Sequence, residues 1–294
     1  MDHKLKVFKE VAFTKSFTKT AENLFISQPA VSKTIRNLEE EYGSAFFERK
    51  GNHIELTPEG HLFLQYTEKL IRIYAEMSNA FSTSSNGLPS SIKLGTSTTI
   101  GQYIVPKITA ALKKEYPDFR MDLICGNTKK IQELVCAGQL DFGIVEGENQ
   151  DTRLHYEKFV KDELVLVTNA NNQDVKDTID IEQTKHLPFV EREPGSGTLE
   201  VIRKALLKKG INSLNITSVL GSTESIKSYL TYSRHFAFLS IHAIGQQLLQ
   251  NQLRIIEIDG FCIERWFYFM SRQGFQSKTN QKLQNLFLKH YNQK

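Results

Sequence analysis

Three cysteines in 294 residues, Cys125, Cys136 and Cys262, form neither an even disulfide framework nor a metal-ligand spacing. Their scarcity fits a reducing compartment. No apolar stretch approaches the roughly 20 residues that a membrane span needs, and Met1-Asp2-His3-Lys4 carries no apolar signal region. A soluble, cytoplasmic protein without a membrane partner is expected. Eight histidines are scattered, with His235 and His242 seven apart and no cysteine or carboxylate at ligand spacing. There is no Gly-x-Ser-x-Gly elbow, Walker loop or pair of catalytic carboxylates, and Gly195-Ser196-Gly197 lacks dinucleotide spacing. These absences argue against an enzyme, a metal site and a cofactor. A bulk positive field is missing too: the chain is +4 overall, yet its first sixty residues hold nine cations and nine acids. Affinity for a polyanion must then come from placement and avidity. The acidic run Glu39 to Glu41 reads as a solvated helix end.

What is present begins with Thr18-Lys19-Thr20-Ala21-Glu22-Asn23-Leu24, followed by Ser27-Gln28-Pro29-Ala30-Val31-Ser32-Lys33-Thr34-Ile35-Arg36-Asn37-Leu38-Glu39. The pattern predicts a helix, a tight turn and a second helix. Ser27 can cap the second helix, Pro29 suits its first turn, and Ala30, Val31, Ile35 and Leu38 fall on one stripe at helical spacing. Gln28, Ser32, Lys33 and Arg36 remain on the outer face, where amide and hydroxyl groups can address base edges and cations can meet phosphates. Leu5, Phe8, Val11 and Ala12 mark an earlier helix. Phe46 to Leu56 reads as two short strands around Gly51-Asn52, a wing with Arg49 and Lys50 at its tip. Thr57-Pro58-Glu59 supplies cap, first-turn proline and dipole-matched acid for a further helix.

These blocks, together with Ser16-Phe17-Thr18, Gly43, Phe46-Phe47-Glu48-Arg49 and Leu56-Thr57-Pro58-Glu59-Gly60, resemble the LysR-type transcriptional regulators of bacteria. The likeness extends over nearly the whole chain. Glu22 departs from the alanine usual there, on a partly exposed helix. The resemblance implies a winged helix-turn-helix and long linker helix, then a two-lobed, periplasmic-binding-protein-like α/β sensor. It implies DNA contacts at Thr18, Ser27, Gln28, Pro29, Ser32, Lys33, Arg36, Arg49 and Lys50. Arg192-Glu193-Pro194-Gly195-Ser196-Gly197-Thr198 is similar to the branch that regulates sulfur assimilation or carbon fixation.

From Pro58 onward, Phe63, Tyr66, Leu70, Ile73, Met77 and Ala80 recur at heptad steps. A helix from Pro58 to about Thr83 would run ~39 Å, too long to bury itself on one small domain. Its expected partner is the same helix of a second subunit, with a tetramer implied by the resemblance. Ser82 to Ser91 is a polar linker. The expected division is a DNA-binding domain over 1–58, a dimerisation helix and hinge over 59–90, and an effector-binding domain over 91–294. Within the last, lobe 1 takes about 91–162 and 267–294, and lobe 2 about 163–266.

Strand and helix patterns alternate through that region, which argues for open α/β sheets. Thr99 to Tyr116 reads as one helix ended by Pro117. Leu164 to Val167 is expected to carry the chain into lobe 2, and Trp266 to Met270 to return it. Gly95-Thr96-Ser97-Thr98-Thr99, Pro194-Gly195-Ser196-Gly197-Thr198 and Gly221-Ser222-Thr223-Glu224 each open a helix, where amides and hydroxyls can hold an oxyanion or simply cap. The resemblance places effector contacts at Ser97, Thr98, Thr99, Ser196, Gly197 and Thr198, with Glu146 also facing the cleft. An acid there is expected to pair with a cation such as Arg192 or to meet an amine on the effector. From Ile92 onward 26 cations face 22 acids, in keeping with an anion. Arg153, Arg254 and Arg265 are candidates to line the site, though a surface place is expected for each. The expected function is sequence-specific regulation of transcription from an interrupted palindrome under a small-molecule effector, with RNA polymerase as a further partner. Two alternatives stand beside it. One is a redox sensor using Cys125 and Cys136, whose expected strand and helix positions favour buried apolar roles; the other is a helix-turn-helix fused to an enzyme.

Overall fold

Two serines start the reading unit. Ser16 accepts the Lys19 amide at 3.3 Å and Ser27 the Ala30 amide at 3.4 Å, satisfying amides that no helical carbonyl can reach. They separate α1 (His3–Thr14), α2 (Phe17–Leu24) and α3 (Gln28–Tyr42). The computed structural model describes residues 3–50, 53–81, 88, 91–147, 151–273 and 278–292, and divides into Met1–Thr83 and Ser84–Lys294.

In the first unit Val7, Phe8, Val11, Ala21, Val31, Ile35, Leu38 and Phe46 form one core. Ala30, expected on the same stripe, is exposed. It lies about 100° round the helix from Val31 on the first turn. Gly43 ends α3 in the left-handed region, at φ +64°. The acidic run is not merely solvated. Glu39 accepts the amides of Phe46 and Phe47 at 2.7 and 3.2 Å, while Glu40 pairs with Arg36 and Glu41 with Lys4. Strands β1 (Phe47–Lys50) and β2 (His53–Leu56) pair antiparallel, Phe47 opposite Leu56. Helix α4 (Pro58–Phe81) follows, with the Thr57 hydroxyl accepting the Gly60 amide at 2.9 Å. A Cβ on Gly60 would lie 2.0 Å from the Phe46 carbonyl oxygen, so only glycine admits this approach. Phe63 stacks on Phe46 at 4.2 Å, whereas Tyr66, Leu70, Ile73 and Met77 are exposed. The Ala80 side chain, Gly51 and Asn52 at the hairpin turn, and most of the expected linker lie outside the described residues.

The second unit runs β3 (Ser91–Ser97), α5 (Thr98–Tyr103), α6 (Val105–Glu115), β4 (Arg120–Gly126), α7 (Thr128–Cys136), β5 (Phe142–Glu146), β6 (Leu154–Asn169), β7 (Thr178–Ile179), β8 (Pro188–Arg192), α8 (Gly197–Lys208), β9 (Asn215–Leu220), α9 (Thr223–Thr231), β10 (Ala237–Ser240), α10 (Ile241–Leu249), β11 (Leu253–Ile258), β12 (Ile263–Arg272) and α11 (Lys278–Asn292). The single helix expected over Thr99 to Tyr116 is two. Pro106, second in α6, has no amide to donate back and crowds the preceding turn, so the chain breaks at Ile104.

Strands β4, β3 and β5 are parallel, as their helical crossovers require; β12 joins β5 antiparallel, and β6 in turn pairs antiparallel with β12. Both β6 and β12 continue into the second lobe, where β10 and β11 add to β6. The two lobes are therefore joined by a pair of hydrogen-bonded strands, with Asp162 directly opposite Arg265. Leu94, Ile144, Phe267, Phe269 and Phe287 centre the core of lobe 1. Leu164 and Leu166 face one layer of lobe 2 and Val167 the other, so this stretch of β6 is apolar on both sides.

Candidate nucleic-acid interface and interlobe cleft

The first turns of α3 present a prearranged polar pair: the Gln28 side-chain amide donates to the Ser32 hydroxyl at 2.9 Å. Residues four apart share a helix face, so the pair spans one turn of that surface. Thr18, Ser27, Gln28, Pro29, Lys33 and Arg36 are exposed and Ser32 is half-buried. Arg36 holds Glu40 at 2.8 Å with its side chain 80% exposed; a surface pair of this kind contributes at most about 1 kcal/mol and is readily exchanged for a phosphate. Lys33 has no ion-pair partner among the described residues. Strand β1 carries Arg49 and Lys50, whose side chains lie outside the described residues.

The second candidate site gathers at the carboxyl ends of β3 and β5. Ser97 ends β3 and caps α5, accepting the Ile100 amide at 3.5 Å. Thr96 pairs with Ile144 across the strands, which brings Thr98 level with Glu146 at the carboxyl end of the sheet. From lobe 2, Ser196 caps α8 by accepting the Leu199 amide at 3.4 Å. Gly197 packs so closely on lobe 1 that a Cβ would meet Thr128 Oγ1 at 2.5 Å and the Glu146 carbonyl oxygen at 2.7 Å. The Lys129 amide donates across to the Gly195 carbonyl at 3.2 Å. Ser97, Thr99, Glu146, Ser196, Gly197 and Thr198 are thus buried where the lobes meet, with Thr98 half-buried.

Several expected roles differ. Glu146 does not pair with Arg192; it accepts the Thr128 hydroxyl at 3.1 Å. Arg192 instead grips its neighbour Glu193 through Nε and Nη2, at 2.8 and 2.9 Å, and reaches Thr223 Oγ1 through Nη1 at 3.4 Å. Thr223 in turn lies 3.3 Å from Thr99 across the lobes. Arg265 is not a surface residue. It is 5% exposed, donates through Nε to Asp162 at 2.7 Å and through Nη1 to Thr198 at 2.8 Å, and leaves Nη2 buried without a partner. Ser240 donates to the second oxygen of Asp162 at 2.7 Å. Arg254 is half-buried and braces the Asn172 and Val175 carbonyls, while Arg153 is exposed and paired with Asp151.

A further contact crosses the lobes from α5 to α9. The Tyr103 hydroxyl donates to Glu224, Lys227 lies 3.0 Å from the same carboxylate, and its ammonium sits 4.7 Å over the Tyr103 ring. Burial, then the bond to Glu224, pushes the Tyr103 phenol well above the ordinary tyrosine range. Burial acts to raise Glu224, but Tyr103 and Lys227 outweigh it and hold the carboxyl below its usual range.

Cys125 is exposed on edge strand β4, 3.5 Å from Thr96 Oγ1, and Cys136 is half-buried at the end of α7. The buried role expected of Cys125 fails because the side chains of that strand are mostly exposed. No disulfide joins any of the three cysteines. Sequence reasoning missed Thr128, Asp162 and Tyr103 as parts of this region. Thr128 was readable only as a helix start and Asp162 only as an acid in an alternating strand.

A helix-turn-helix with a flanking hairpin, joined in one chain to a two-lobed α/β domain with a polar junction, defines a ligand-responsive DNA-binding regulator. Residues 3–61 match the family described as bacterial regulatory helix-turn-helix protein, lysR family, and residues 85–292 match the LysR substrate binding domain. The chain belongs to the LysR family: it is a DNA-binding transcriptional regulator with an effector-binding domain, not an enzyme. It is 29% identical over 280 residues to the HTH-type transcriptional regulator CysL of Bacillus subtilis, covering 95% of this chain and 93% of that one. It is 33% identical over 269 residues to a probable RuBisCO transcriptional regulator of Thalassiosira pseudonana, covering 89% and 88%. Among solved structures, full-length OxyR from Pseudomonas aeruginosa is similar with a TM-score of 0.72 at 19% identity, covering 98% and 93%. CbnR complexed with its target DNA gives 0.65 at 17%, covering 99% of each chain. The CcmR regulatory domain of Synechocystis PCC6803 in complex with 2-PG gives 0.63 at 24%, covering 69% and 98%.

Proposed function

We propose that a small anionic metabolite binds between the lobes, against Ser97, Thr98, Thr99, Ser196, Gly197 and Thr198 with Glu146 alongside, and changes how the reading domain engages a promoter. The observation that carries this is the start of α8, which is buried against the end of β5 with an incompletely bonded guanidinium beside it. The amides of a first helical turn and a cation at low dielectric together favour an anion. Ligand held there has differential contacts with closed and open lobes, which is what a shift between them requires. Residues 1–58 read the DNA, 59–90 form the dimerisation helix and hinge, and 91–294 sense the effector. The exposed seam Tyr66, Leu70, Ile73 and Met77 pairs with its copy, and two such dimers make a tetramer. The dimer reads an interrupted palindrome in the cytoplasm and answers to RNA polymerase. Gln28 and Ser32 address bases, Lys33 and Arg36 phosphates, with Arg49 and Lys50 near the flanking minor groove.

The test has two parts. Gln28→Ala and Ser32→Ala relax base preference by about 1–3 kcal/mol, whereas Lys33→Ala and Arg36→Ala weaken binding to all sequences and reduce the salt slope by about one each. A slope unchanged by both cation variants refutes the phosphate assignment. Ser97→Ala and Thr98→Ala keep promoter binding but blunt the footprint change caused by a ligand found in a thermal-shift screen; loss of promoter binding itself refutes the effector role.

A further inference from the structure

The buried cations at the lobe junction are already neutralised by the chain. Arg192 holds Glu193, Arg265 holds Asp162 and Lys227 holds Glu224, each cation with its side chain no more than 6% exposed. Glu146 is the acid left over. It is 3% exposed, and its partner among the described residues is a neutral hydroxyl, Thr128. Each of the three cations thus faces its own carboxylate, whereas Glu146 faces no cation among the described residues. Lys129 and Lys130 stand nearby on α7, but their side chains are exposed and act through solvent.

Burying a charge without a partner is costly. A sulfate or phosphomonoester dianion would set two negative charges beside a buried acid that has no cation of its own. A carboxylate adds one, and a donor on the same molecule can answer Glu146. Two sets of donors are open to that carboxylate: Arg265 Nη2, buried without a partner, and the Gly197 and Thr198 amides at the start of the twelve-residue α8, whose Thr198 touches the same guanidinium. Glu146 is close by. It lies opposite Phe267 on β12, and the Arg265 guanidinium sits 5.0 Å over the Phe267 ring.

The geometry points to a hydroxy- or amino-carboxylic acid with a single carboxylate as the ligand, that carboxylate on Arg265 Nη2 and the start of α8, its hydroxyl or ammonium on Glu146, in preference to a phosphorylated or sulfated dianion. This rests on the interlobe reading above and narrows it to one charge class.

The experiment is calorimetric titration of the full-length protein with glycolate, L-lactate, glycine and L-serine on one side, and 2-phosphoglycolate and sulfate on the other. At least one of the first four binds about tenfold or more tightly than either dianion. Glu146→Gln, nearly isosteric, narrows that ratio by about tenfold, the worth of roughly one unit charge a few ångströms away. Retained promoter binding and a melting temperature no lower than the parent's show that the fold is intact. A dianion that binds the unaltered protein as tightly as the carboxylic acids overturns the inference, as does a preference unmoved by Glu146→Gln, or silence from all six probes. Thr198→Val separates the two levels. If dianions win and Thr198→Val abolishes their binding, the charge argument fails and the cleft stands; if Thr198→Val leaves a bound probe untouched, the cleft reading fails.

Discussion

Gly197→Ala is the smallest change that tests whether the lobes are held together at the start of α8. The added methyl would sit 2.5 Å from Thr128 Oγ1, 2.7 Å from the Glu146 carbonyl oxygen and 3.2 Å from Glu146 Cβ. Thr128 can rotate only by giving up its bond to Glu146, and a backbone oxygen at a strand end cannot yield alone. Overpacking of this kind costs about 1–3 kcal/mol, unless the lobes separate to relieve it. One or two kcal/mol changes a closed-to-open ratio by about 5- to 30-fold, so the population shifts toward open lobes by that factor. Calorimetry should show the effector domain melting about 2–4 °C lower per kcal/mol lost. Hydrogen exchange adds a local readout: the Lys129 amide, bonded across the lobes to Gly195 O, should exchange faster. Promoter binding should persist. Gly245→Ala supplies the control, because a Cβ there meets nothing within 4 Å in α10, and it should stabilise by about 0.4–1 kcal/mol. Unchanged melting and unchanged Lys129 exchange in Gly197→Ala would refute the contact as a closure element.

Tyr103→Phe removes the hydroxyl bond to Glu224 and should cost about 0.5–1.5 kcal/mol near neutral pH. Because the folded-state phenol is raised, its contribution is complete below the ordinary tyrosine value and declines as pH climbs above about 10. Urea titrations should therefore show the gap between parent and variant closing in alkali; a gap that widens there contradicts the assignment. Glu224, held low, works in the other direction, contributing above the ordinary carboxylate range and fading as acid protonates it. In the reading unit, Glu39→Ala strips the acceptor from the Phe46 and Phe47 amides. It should cost about 1–3 kcal/mol, with Glu39→Gln losing less because a carbonyl oxygen remains. Thermal melts in which neither variant differs from the parent would mean that the carboxylate is idle.

The helix-turn-helix was readable because its signals are local. A serine cap, a proline in the first turn and a three-four apolar rhythm lie within a dozen residues, and the Gln28 to Ser32 pair follows from helical spacing alone. Ala30 misled because the rhythm gives a face but not how far the neighbouring helix extends to cover it. The cleft was half readable. Ser97, Ser196 and Gly197 are legible as helix starts, since capping chemistry is local as well. Arg265 and Asp162 could not, because their burial arises from a pairing across 103 positions of sequence. Composition treats such residues as surface ions by default, and only the register of β6 against β12 overturns that. The same holds for Glu146, whose neighbour depends on where α7 packs. Pro106 is local evidence of the break: a proline about two turns into a long amphipathic pattern marks a restart as well as a kink.

The placement of Asp162 and Arg265 bears on why the lobes can move as units at all. Both strands that join the lobes carry one member of the pair, and the pair holds two helix starts of lobe 2, Thr198 of α8 and Ser240 before α10. A buried ion pair earns little net stability over packed hydrocarbon, yet losing one partner typically costs about 3–5 kcal/mol, because the other is left uncompensated. Apolar side chains at those positions would tolerate sliding; a guanidinium bonded to Asp162 and Thr198 tolerates little. Strand crossing and helix starts are therefore constrained to shift together. A ligand that engages the free Nη2 would act on the one group already tied to both, which places the chemistry of recognition and the geometry of closure in a single side chain.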